Sequence, residues 1–156
     1  MSGEGEHTAS HEPVVFAYDG STLAKGAIAE AGRLLGRGRD AIVLTVWQPY
    51  DLGFVTADDV QLDAADSAQV RHAAEQTAAE GAALAEAAGF HASSTAIEAA
   101  PTWKGIVAFA DEHNADVIVL GSHGRTRLRD ALLGSVAGAV ASHSQRTILI
   151  VHAGSA

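Results

Sequence analysis

Two hydrophobic periods take turns along this chain. Residues 14–18 (Val14-Val15-Phe16-Ala17-Tyr18) form a short, β-rich apolar run that stops at Asp19-Gly20-Ser21, residue types that make turns and helix caps. Beyond it, Leu23, Ala27, Ile28, Ala31, Leu34 and Leu35 recur at helical spacing, with Lys25, Glu30 and Arg33 elsewhere on the wheel. Gly36 and Gly38 end that helix. Residues 41–47 are almost unbroken in apolar character, as expected of a strand buried on both faces. Residues 48–63, with Pro49, Gly53 and several aspartates, read as an irregular connection. A long helix over about 64–88 follows, with Val70, Ala74, Thr77, Gly81, Leu84 and Ala88 on one face and Gly89 closing it. Residues 92–98 alternate weakly as a third strand. Pro101 suits the first turn of a helix carrying Ile106, Val107, Phe109 and Ala110, which ends at His113-Asn114. Residues 117–120 are a fourth strand. A glycine-punctuated loop then leads to a helix over 135–143 and a fifth strand over 147–151.

Strands that alternate with helices in this way predict an α/β fold, a mostly parallel sheet with right-handed crossovers. Nothing resembles a linker or an internal repeat, so residues 13–153 read as one domain behind a loose tail, residues 1–12. A chain of 156 residues has room for a sheet covered by helices on both faces. Its apolar runs are too short to span a bilayer, and the polar start is unlike a signal peptide, so no membrane role and a cytoplasmic home are expected. The absence of cysteine excludes disulfide and thiolate chemistry. A formal charge of −9 disfavours nucleic acid and anionic lipid as partners. Against that acidity, Arg125, Arg127 and Arg129 are crowded into one short stretch.

In parallel α/β sheets ligands bind beyond the carboxyl ends of the strands, where the winding direction switches. Two such ends carry unusual residues: Asp19-Gly20-Ser21 after the first strand, and Gly121-Ser122-His123-Gly124 after the fourth. The second runs on to Gly134-Ser135-Val136, where the last helix begins. A glycine lets the backbone approach a ligand closely and adopt positive φ, so successive N–H groups can point at one anion, and a helix start adds unpaired N–H groups and the positive end of its dipole. Ser135 is expected both to cap its helix and to offer a hydroxyl to a ligand. Asp19 and Ser21 can each cap the first helix. Arg125 and Arg127 can either meet an anion or point into solvent.

Gly121-x-x-Gly124, nine residues, then Gly134-Ser135 fits the G-x2-G-x9-G-[ST] pattern, and here the chain resembles the ATP-binding branch of the universal stress protein family. The resemblance extends to the strand ending in Asp19-Gly20-Ser21, to Leu44-Thr45-Val46, and to Ala115 through Ser122; it covers nearly the whole of residues 13–153. It implies a Rossmann-like sheet of five parallel strands in the order 3-2-1-4-5. It also implies that backbone at Val46 meets an adenine, and that Asp19 and the backbone near Ala17 lie by the ribose and the metal-phosphate region. Gly121, Ser122, His123, Gly124, Arg125 and Arg127, with Gly134, Ser135 and Val136, would cradle the phosphates of ATP. Magnesium would arrive on the nucleotide, with Asp19 as the carboxylate near it. A homodimer through the last strand is implied as well. One departure is that Arg146-Thr147 stands where the family usually has a proline after a cysteine.

Other chemistries are argued down. The chain lacks G-x4-G-K-[ST], G-x-G-x-x-G after its first strand, and G-x-S-x-G. His7 and His11 stand four apart in the tail with no third ligand nearby, which is no basis for a metal site. His123 can donate a hydrogen bond from within the loop or simply be exposed. The expected function is thus a nucleotide-dependent regulatory module that serves an unknown partner protein, with at most slow hydrolysis, since fast phosphoryl transfer needs a fuller set of groups. The rivals are a weak ATPase or self-phosphorylating enzyme that uses Asp19, and an interaction module indifferent to ATP.

Overall fold

The computed structural model describes residues 11–49, 64–124 and 133–153. Along them run β1 (Val14–Ala17), α1 (Thr22–Leu35), β2 (Asp40–Trp47), α2 (Ala64–Ala87), β3 (His91–Glu98), α3 (Thr102–Glu112), β4 (Val117–Gly121), α4 (Ser135–His143) and β5 (Thr147–Val151). The five strands form one sheet in the order β3-β2-β1-β4-β5, and every pair is parallel. The expected α/β fold and strand order are therefore observed.

Alternation along the strands sorts the core into two layers. Val14, Phe16, Val43, Val117 and Val119 face α1 and α2, while Val15, Leu44, Ile118 and Leu120 face α3 and α4. Each central strand is apolar on both sides because helices cover both sides.

Two leucines assigned to core faces by helical spacing are instead exposed. Leu84 is 36% and Leu34 is 50% accessible. On α2 the buried stripe is Val70, Ala74, Ala78 and Ala85. The helix lies too close to the sheet for anything larger: a Cβ on Gly81 would stand 2.7 Å from both the Tyr18 ring and Val43. The small residues go inward and Leu84 turns out. Leu34 lies along a groove between α1 and β5, at the edge of the sheet. Pro101 precedes its helix as the N-cap rather than sitting in the first turn, and its carbonyl receives the Lys104 N–H at 3.1 Å.

The chain winds outward from β1 through β2 to β3, then crosses back to β4 on the other side of β1. The switch point thus lies between β1 and β4, and their carboxyl ends open toward one space.

Candidate functional site

At the end of β1, Asp19 Oδ1 accepts a hydrogen bond from the Ser21 N–H at 2.9 Å, and Gly20 turns the chain at φ +81°. Ser21 then caps α1, its Oγ accepting from the Ala24 N–H at 3.2 Å. That decides between the two candidate caps: Ser21 holds the helix, and Asp19 is left at the wall of a cavity. Beneath it, the Thr45 hydroxyl donates to the Tyr18 carbonyl at 2.9 Å and fixes the end of β1 against β2.

The loop after β4 is built just as tightly. The Ser122 N–H donates to the Val151 carbonyl at 2.9 Å, and the Ser122 carbonyl accepts from the Gly134 N–H at 2.6 Å. The start of α4 is therefore pinned to the end of β4. Ser122 is buried, its Oγ 3.2 Å from His123 Nδ1, and it supports the cavity from behind rather than lining it. Of the two services expected of the loop glycines, positive φ is not used, since Gly121, Gly124 and Gly134 all lie outside it. Their service is close approach. A Cβ on Gly124 would come within 2.6 Å of Asp19 Oδ2, one on Gly121 within 2.9 Å of Leu23, and one on Gly134 within 3.2 Å of the Ser122 carbonyl.

Ser135 does not cap its helix either. The N-cap is Gly134, without a side-chain cap bond, and Ser135 is the first helical residue. The first intrahelical bond runs from the Gly138 N–H to the Gly134 carbonyl at 2.9 Å. Helix geometry thus denies the amides of Ser135, Val136 and Ala137 an intrahelical acceptor, and all three residues line the cavity.

The cavity has a volume of about 330 Å³, within the range of small-molecule sites. Of the residues singled out from sequence, Ala17, Asp19, Val46, Gly121, His123, Gly124, Gly134, Ser135 and Val136 meet there. Arg125 and Arg127 lie outside the described residues. Sequence reasoning missed the apolar end, made of Leu44, Ile106, Leu120 and Ala137 with Thr102 beside them. Period-two alternation from Val46 picks out Leu44, and the i, i+4 spacing on α3 joins Thr102 to Ile106. Gly105 lets α3 pass close over its own connection from β3: its Cβ would meet Ala99 at 2.5 Å, while Val46 on β2 stands at an ordinary contact distance of 3.5 Å.

Tyr18 also borders the cavity, and its phenol donates to Glu80 Oε1 at 3.3 Å, which in turn pairs with Lys25 at 3.1 Å. Burial, reinforced by the charge of Glu80, pushes the Tyr18 hydroxyl up to about 12, so it is neutral at physiological pH. At the opposite edge of the sheet, Arg146 donates to Asp111 Oδ1 and to the Ala115 carbonyl, both at 2.8 Å, and ties the α3–β4 connection to β5. The residue that departs from the family pattern therefore has a structural role. Among the described residues no three His, Cys, Asp or Glu side chains could hold a metal ion together, and no helix is long and apolar enough to cross a membrane.

A doubly wound parallel sheet with a polar-to-apolar cavity of small-ligand size at its switch point, floored by glycine backbone and a helix start, defines a Rossmann-like α/β protein. Residues 11–152 match the universal stress protein family. The chain belongs to that family. A stretch of 46 residues is 44% identical to the universal stress protein MJ0577 of Methanocaldococcus jannaschii, covering 30% of this chain and 28% of that relative. The solved structure of MJ0577 overlays with a TM-score of 0.70 at 24% identity, over 94% of this chain and 99% of that one. A universal stress protein in complex with cAMP does so with a TM-score of 0.61 at 27% identity, over 92% and 98% of the two chains. The Archaeoglobus fulgidus universal stress protein in complex with dAMP gives 0.58 at 22% identity, over 91% and 98%.

Proposed function

We propose that the cavity binds ATP, with magnesium carried on the nucleotide, and that occupancy of the site is the signal this protein transmits. The observation that carries the reading is the division of one cavity into two chemistries. Helix-start amides at residues 135–137 and glycine backbone at 121 and 124 suit phosphate oxygens, while the slot beside Leu44, Val46 and Ile106 suits a flat base. Asp19, on the cavity wall beside Gly124, is the side chain that would face a phosphate-bound magnesium, an ion that keeps most of its waters and takes one or two carboxylates. The similar protein solved with cAMP adds weight to an adenine ligand.

Phosphoryl transfer depends on positioning an attacking group in line and neutralising the charge that develops. The donors assigned here to the phosphates are backbone amides, which is binding chemistry. The protein is read as a regulator with at most slow hydrolysis, acting on a partner protein or through its own dimer. The dimer is assigned to β5: this edge strand borders a groove lined by Leu23, Leu34, Leu149 and Val151, apolar surface that a second copy would bury.

Mass spectrometry of small molecules released from protein purified without added nucleotide tests the ligand, with calorimetric titration of ATP and magnesium as its quantitative partner. Recovery of an adenine nucleotide and saturable binding support the reading. Protein that carries none and ignores added ATP sinks it. Turnover well above background that vanishes in Asp19→Ala would move the assignment to an ATPase.

A further inference from the structure

Resting on the nucleotide and β5-dimer readings above, a further inference concerns how the two communicate. We propose that Leu23 is the side chain through which the cavity and the dimer edge sense each other, so that nucleotide and second copy each tighten the binding of the other.

Leu23 is the second residue of α1, and two walls of the cavity converge on it. Its backbone is placed by the turn after β1: Asp19 Oδ1 accepts the Ser21 N–H at 2.9 Å, and Ser21 caps α1. Its side chain rests on the end of β4. Val117, Val119 and Gly121 point toward α1 by period-two alternation, and where the two valines fill that layer Gly121 leaves a notch. Leu23 occupies the notch, since a Cβ on Gly121 would stand 2.9 Å from Leu23 Cγ. Gly121 at the same time lends its backbone to the cavity. Leu23 itself is half-buried, and it lines the groove between α1 and β5 with Leu34, Leu149 and Val151. Val151 is the register partner of Gly121, so the notch and the groove meet at adjacent strand positions. One side chain is shared by two surfaces.

The arrangement gives the coupling a sign. A half-exposed leucine keeps rotamer freedom that a docking partner must remove. Phosphate held by the loop that begins at Gly121 fixes the notch, and a fixed notch seats Leu23. The second copy then meets a floor already ordered and loses less entropy in burying it. Linkage requires the reverse by the same factor: nucleotide binds the dimer more tightly than the monomer.

The test is sedimentation equilibrium of the full chain over a dilution series, with and without saturating ATP and magnesium. Wild type should dimerise about tenfold more tightly with nucleotide. Leu23→Ala should dimerise more weakly and respond to nucleotide by less than about twofold, while its monomer binds ATP as the wild-type monomer does. Leu34→Ala trims the same groove about three turns further along α1, and it should weaken the dimer but keep the tenfold response. Gly121→Ala drives a Cβ into the notch and should weaken the dimer even without nucleotide. Adding Leu23→Ala to it should bring no loss beyond that of Leu23→Ala alone. A nucleotide response that survives in Leu23→Ala, or is missing from wild type, overturns the inference and leaves the nucleotide and dimer readings intact. A wild-type chain that binds no ATP, or is monomeric at every concentration, takes the inference down together with the reading beneath it.

Discussion

Substituting alanine for Gly124 tests the site at its narrowest point. The added Cβ would lie 2.6 Å from Asp19 Oδ2, roughly 0.7 Å inside the closest comfortable carbon–oxygen contact of about 3.3 Å. The carboxylate cannot simply rotate away, because its other oxygen holds the Ser21 N–H at 2.9 Å in the turn that starts α1. Either that bond breaks or the 121–124 backbone backs off. A hydrogen bond to a charged acceptor contributes about 1.5–3 kcal/mol at best, and partial solvent access at this turn reduces it, so a stability loss of about 1–2 kcal/mol is expected. For a domain of this size that is a fall in Tm of roughly 3–6 °C. The effect on binding should be larger, because the methyl and the displaced carboxylate both enter the space assigned to phosphate. A loss of at least about 100-fold in ATP affinity is expected, near 2.7 kcal/mol.

Gly138→Ala is the matched control. It makes the same chemical change in the body of α4, where a Cβ would meet nothing closer than Leu133 at 4.0 Å. Removing backbone freedom there should stabilise by about 0.5–1 kcal/mol and leave the affinity alone. Differential scanning calorimetry and isothermal titration read both quantities on both variants. If Gly124→Ala binds ATP within about threefold of wild type and melts at the same temperature, the close-approach argument is wrong and Asp19 does not border the phosphate space.

Two further expectations concern stability and assembly. The fold prefers Tyr18 as the neutral phenol, so its contribution is intact below the ordinary value of 10.0 and is lost as pH rises toward about 12. Denaturant midpoints of wild type and Tyr18→Phe should therefore converge above pH 10, whereas a constant gap would show that the phenol–Glu80 contact is not what the pH disturbs. Leu34→Asp places a charge in the α1–β5 groove at a side chain already 50% exposed, so the fold should survive. Sedimentation velocity should show a dimer for wild type and a monomer for the variant. A variant that stays dimeric puts the interface elsewhere.

How legible was this in the sequence? Element order and type were readable because each strand-to-helix change alters the hydrophobic period, and α4 and β5 begin and end where the pattern predicts. What periodicity could not give was the distance between layers. Leu84 occupies a position that helical spacing assigns to the core, but spacing says nothing about how near a helix sits to its sheet. That distance is set by Gly81 against Tyr18 and Val43. The same blindness applies at the site. The Gly-x-x-Gly pattern located the loop but could not say whether its glycines serve positive φ or close approach, because a conformational need and a steric need for glycine look identical in one sequence. The Thr102–Gln48 contact was out of reach for a different reason: its partners are 54 positions apart and meet only once the start of α3 lies against the end of β2.

That packing also bears on how binding could be transmitted. The walls of the cavity come from both halves of the chain: β1 and β2 carry Ala17 and Val46, with Asp19 just beyond β1, while α3, β4 and α4 carry Thr102, Gly121 and Ser135. A nucleotide whose base touches α3 and whose phosphates touch α4 would bridge two helices that already share a stacked contact, Trp103 on His143 at 4.1 Å. Beyond α4 the chain passes directly into β5, the edge strand assigned to the dimer. The Ser122 N–H bond to Val151 and the Ser122 carbonyl bond to Gly134 tie that strand, the loop and the helix start together within one residue. A ligand that shifts the start of α4 would pull on the Ser122 carbonyl, and the N–H of the same residue holds β5. The route from site to edge is a few hydrogen bonds long, short enough for an occupied and an empty cavity to present different edges to a partner.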